Sequence, residues 1–100
     1  MEQLWKVRAE IEIEPADSEL GPGYTKGFMN VIVCAESART AEAILGDYLR
    51  TFNWNLIGVE ECCPIGVDFV PGSELSEMVD RAMGNPNAII LGTFHAYLVQ

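Results

Sequence analysis

His95 is the single histidine of this 100-residue chain, and Cys34, Cys62 and Cys63 are its three cysteines, so metal or nucleophile chemistry would have to pass through these four side chains. Alternation along the last extended segment puts His95 on one face with Thr93 and Tyr97. If that segment lay beside the one carrying Cys34, a Cys–His pair would be conceivable as a metal or nucleophile site. A zinc site, however, needs paired ligands at characteristic spacing, and the adjacent Cys62 and Cys63 point to opposite faces of a strand. An odd count with two neighbours gives no disulfide framework either. The residues read as reduced thiols and a strand histidine, and no catalytic residue, metal or cofactor is assigned.

The carboxylates come next. Glu10, Glu12 and Glu14 alternate along one extended segment, and Glu60 and Glu61 sit together in another. Such groups can act as general acid and base in a cleft, but three glutamates on one side of a strand more often make a solvated sheet face. As a recognition surface Glu10, Glu12 and Glu14 would meet a basic partner, with Lys6 and Arg8 on the same side setting register. Gly21, Pro22 and Gly23 follow no strand-to-helix junction and have no P-loop lysine, so they make no phosphate cradle. Trp5 and Trp54 read as core.

Fifteen acidic against six basic residues give a net charge of -9, spread over both halves. That field repels a phosphate backbone and disfavours nucleic acid. It suits solubility, or else a basic protein partner or a cationic ligand. About half of the residues are apolar, enough for one domain spanning 1–100 and too few for a second core. No apolar run approaches a bilayer span and none opens the chain between charges, so a cytoplasmic protein with no membrane partner is expected.

The elements follow from periodicity. From Leu4 to Glu14 odd positions are apolar and even ones charged, a half-buried strand that Pro15 ends. Ala16 to Lys26 reads as a turn-rich loop around Gly21, Pro22 and Gly23. Phe28 to Ala35 is apolar on both sides except at Asn30, which calls for cover above and below. Ser37 caps a helix whose stripe is Ala41, Ile44, Leu45, Tyr48, Leu49 and Phe52. Trp54 to Cys63 resumes a strand, parallel to Phe28–Ala35 through a right-handed crossover. Ile65 to Val70 reads as a short strand. Ser73 caps a second helix with Leu75, Met78, Val79, Ala82 and Met83 inward, and Ala88 to Val99 is a final strand.

This order predicts an α+β fold, a two-layer sandwich of ferredoxin-like type, with a mixed sheet of four or five strands and two helices on one face. The other face, apolar and uncovered, would be closed by a homodimer or a partner. A Trp-bearing first strand, the GFMNVIVCAES strand entering the ARTAEAILGDYL helix and the returning NWNLIGVEE strand together resemble small stand-alone bacterial α+β proteins. Many of those are uncharacterised, and some are similar to immunity proteins encoded beside secreted toxins. The resemblance spans Trp5 to Glu61 and carries over no functional residue. It implies a non-enzymatic, immunity-type interaction protein. The alternative is a dimeric ferredoxin-like protein that binds or transforms a small molecule at the open sheet face. There Asn30, Cys34, His95 and Tyr97 would be the ligand-binding groups, flanked by the loops Ala16–Lys26 and Pro64–Gly72.

Overall fold

The odd positions of the first strand do seek one apolar layer. The computed structural model describes residues 3–65, 74–84 and 89–98. In it β1 (Gln3–Glu12) buries Trp5, Val7, Ala9 and Ile11 while its even positions stay half-exposed. β2 (Lys26–Ala35) pairs antiparallel along the full length of β1, from Gln3 opposite Ala35 to Glu12 opposite Lys26. β3 (Asn55–Pro64) pairs with the other edge of β1, also antiparallel. β4 (Ile90–Leu91) and β5 (His95–Tyr97) both pair with the free edge of β2. The result is an α+β protein with a five-stranded sheet in the order β3-β1-β2-β4, with β5 on the same edge as β4.

β2 and β3 run parallel to each other, as the strand–helix–strand pattern predicts, but β1 lies between them. Every pairing among the described residues is therefore antiparallel, which corrects the mixed sheet. α1 (Ala38–Arg50) begins as expected: Ser37 stays extended and its hydroxyl accepts the Thr40 backbone N–H at 3.2 Å. Its stripe Ala41, Leu45 and Leu49 is fully buried against Val7, Ala9, Ile11, Val31 and Val33.

α2 (Glu74–Gly84) is where the sandwich departs from expectation. Met78, Val79 and Ala82 pack with Ile32, Leu4, Ile65 and Ile90. Ile32 lies opposite Lys6 in the register and Val33 opposite Trp5, so these are the even positions of the sheet and not those under α1. The helices thus lie on opposite faces, in three layers, and the ferredoxin-like arrangement with both helices together does not hold. Ile32, fully buried, is the reason: an apolar residue on the second face needs a cover, and α2 supplies it.

The last expected strand is broken in two. Between the pairs Phe28–His95 and Val31–Leu91, β2 has two residues and the edge has three, a one-residue bulge at Gly92–Phe94. Gly92 donates to the Asn30 carbonyl at 2.8 Å. A Cβ on Gly92 would stand 2.4 Å from Glu74 Oε1 and 2.8 Å from that carbonyl, so only glycine lets α2 approach this closely. The expected strand at Ile65–Val70 and the Ser73 cap fall mainly outside the described residues, as do Ala88 and Val99 at the ends of the last one.

Candidate functional site

The four ligand-binding groups expected from sequence share one face but do not converge. Cys34 lies opposite Leu4 at one end of β2, whereas His95 lies opposite Phe28, six residues away along that strand, about 20 Å. Asn30 sits between them beside the bulge, its Oδ1 buried with no hydrogen-bond partner, and Ile32 under α2 separates it from Cys34. No Cys–His site forms, and no group of three or more His, Cys, Asp or Glu that could hold a metal occurs among the described residues. All three cysteines are thiols. Burial pushes the Cys62 and Cys63 thiols above their ordinary value, which leaves them poor nucleophiles.

The part of this face that α2 leaves uncovered is not apolar. It is paved by charged and aromatic side chains from β1, β2, β3 and β5. The Arg8 guanidinium lies 5.5 Å from the Phe28 ring centroid and its Nε donates to Glu60 at 2.9 Å. Glu60 is the extra residue of a bulge in β3, since Arg8 faces Glu61 and Ala9 faces Val59. Lys6 reaches Glu61 at 3.5 Å. The Cys63 thiol and then Lys6 hold the Glu61 carboxyl below its ordinary value. Tyr97 donates its hydroxyl to Glu10 at 2.8 Å, and that bond raises the phenol above its ordinary value. An uncovered apolar face, the premise of the expected homodimer, is therefore missing among the described residues. Ile32 is buried by α2, and Phe28 is screened by Arg8 and Tyr97.

At this end of the sheet the chain carries Glu10, Glu12, Glu14, Asp17 and Glu19, with no Lys, Arg or His between Arg8 and Lys26. The ion pairs Lys6–Glu61, Arg8–Glu60 and Arg50–Asp47 occupy none of the five. Glu10 and Glu12 stand on the open face; Glu14 is exposed just before the 3-10 turn Pro15–Asp17. Asn55 donates to Glu12 at 3.4 Å. Of the expected partner-binding glutamates, two thus share a sheet face, and the third begins the adjacent loop.

That loop folds on itself. Ile13 donates to Thr25 across its neck at 2.7 Å, the Ser18 hydroxyl donates to the Tyr24 carbonyl at 2.8 Å, and Gly21 takes a φ of +109° to turn the tip. Beneath it, on the α1 side of the sheet, lies a cavity of about 400 Å³. Ile13, Phe94 and Ala96 line it together with the aromatic Tyr24 and Trp54 and the acidic Asp17 and Glu19. The Trp54 indole donates its Nε1–H to Asp17 at 2.8 Å, so this tryptophan is half-buried at a cavity, whereas Trp5 is core and donates to the Ala35 carbonyl at 3.0 Å. The loop Ala16–Lys26, expected to flank the open sheet face, instead lines this cavity on the opposite face. Pro64–Gly72 lies largely outside the described residues. Asp17, Tyr24 and Phe94 carried no signal in the sequence, because only the fold of the loop brings them to Trp54.

No helix among the described residues is long and apolar enough to cross a membrane. Compared with protein-family models, with curated proteins and with solved structures, the chain matches none.

Proposed function

We propose that this protein is a non-enzymatic interaction domain whose acidic sheet end receives a basic protein partner, in the manner of an immunity-type inhibitor. The observation that carries the reading is the segment from Glu10 to Glu19: five carboxylates with no cation within the segment, although Lys26 faces Glu12 across the strands, placed on an open face and its adjoining loop. Repulsion among five charges so close costs folding free energy, and a cationic partner relieves it. Tyr97 adds an aromatic anchor next to Glu10, of the kind interfaces favour. A cytoplasmic location belongs to the same reading, since it rests on the three thiols.

The test is fluorescence anisotropy with a labelled lysine- and arginine-rich peptide, titrated with the protein at about 50 mM and at about 500 mM salt. One-to-one binding that weakens steeply with salt is the expected result. Salt-independent binding, or none at low salt, would end the reading.

A further inference from the structure

The cavity under the Ile13–Thr25 loop lies on the other side of the sheet from the glutamate face, and its chemistry is different. We infer that it is a binding site for a small organic cation, an alkylammonium group with an apolar body. Four observations lead there. The volume, about 400 Å³, falls within the range of small-molecule sites. Two aromatic residues, Tyr24 and Trp54, line it, and aromatic rings attract cations. Among the described residues its two charged side chains, Asp17 and Glu19, are both acidic, and no Lys, Arg or His lines it. Its apolar lining residues Ile13, Phe94 and Ala96 match an apolar body and not a hydrated metal ion.

The site is also held in shape without a ligand. Asp17 fixes the Trp54 indole by accepting its Nε1–H at 2.8 Å. The Phe52 ring packs against Trp54, tilted by 40° with centroids 5.2 Å apart, and limits the indole's movement. Leu20, 66% exposed at the rim, is an apolar side chain that a ligand's hydrocarbon would cover. An anion would meet the two carboxylates and the field of a chain of net charge -9.

Choline and its uncharged isostere 3,3-dimethyl-1-butanol separate the possibilities. The readout is intrinsic fluorescence: Trp54 reports the cavity, and Trp5 gives a constant background. Ionic strength is matched throughout with sodium chloride. Choline should give a saturable change, with the alcohol at least about tenfold weaker. Asp17→Asn keeps the acceptor for the indole and removes the charge; it and Glu19→Gln should each weaken choline binding about fivefold. Glu77→Gln, remote on α2, should leave it unchanged. No saturable response to choline up to about 10 mM would overturn the site. Equal binding of the alcohol, or choline binding indifferent to both cavity variants, would overturn the cation. The result is separable from the peptide titration through Glu10 and Glu12, which stand on the opposite sheet face and are absent from the cavity lining.

Discussion

The two faces of this sheet are covered in different ways. Under α1, the odd positions of β1 and β2 meet Ala41, Leu45 and Leu49 in one apolar layer of fully buried side chains. Under α2, only Leu4, Ile32, Ile65 and Ile90 are covered, and the rest of the face is paved by ion pairs and aromatic contacts. Apolar burial is tight and unselective, whereas exposed charge contributes little to stability and is free to recognise a partner. Stability therefore belongs to the α1 side. The open half of the α2 side is where recognition can evolve without unfolding the protein.

The largest break should come from the α1 layer. Leu45→Ala is expected to destabilise the fold by about 3 kcal/mol, and Met78→Ala in the smaller α2 layer by about 2 kcal/mol, as read by denaturant unfolding. The reverse order would mean that α2 holds the core. Next comes the seam where α2 meets the sheet edge: Gly92→Ala should cost about 2 kcal/mol, because its Cβ has no room beside Glu74 and the Asn30 carbonyl. Gly58→Ala, with nothing within 4 Å, is the control and should cost far less. Ser37→Ala removes the α1 cap and should cost about 1 kcal/mol.

The smallest effect sharpens the α2 side through pH. The Thr93 backbone N–H donates to Glu74 Oε1 at 2.9 Å and the Thr93 hydroxyl to Oε2 at 2.9 Å, and the backbone bond first, then the hydroxyl, hold this carboxyl below its ordinary value. A carboxylate lowered by folding adds stability while ionised, and that contribution is lost as pH falls through the lowered value. Stability should therefore drop on acidification, and Glu74→Gln should flatten the drop; thermal melts of both proteins between neutral and acidic pH compare them.

Most of the α1 side was legible in the sequence, since a period of two in β1 and a period near 3.6 in α1 each name one buried stripe. Ser37 and Trp5 were legible for the same reason. The α2 side was not. That β2 is apolar on both faces says a cover exists, yet a helix on the opposite face satisfies Ile32 as well as a second copy of the chain would. Bulges hid the rest: one extra residue near Gly92 splits the last strand, and another brings Glu60 to Arg8. The cavity was hidden because Asp17, Tyr24, Trp54 and Phe94 are far apart in sequence, and only the loop's closure brings them together.

Charge removal at matched number and different place tests the central claim most directly. Two triple variants each lose three negative charges: Glu10→Gln, Glu12→Gln and Glu14→Gln at the acidic sheet end, and Glu36→Gln, Glu77→Gln and Asp80→Asn, all exposed elsewhere. Titrated with the same basic peptide at low salt, the first should lose at least about tenfold in affinity and the second about twofold or less. Equal losses would contradict the account, because binding would then follow net charge and not the surface on which β1 places its glutamates.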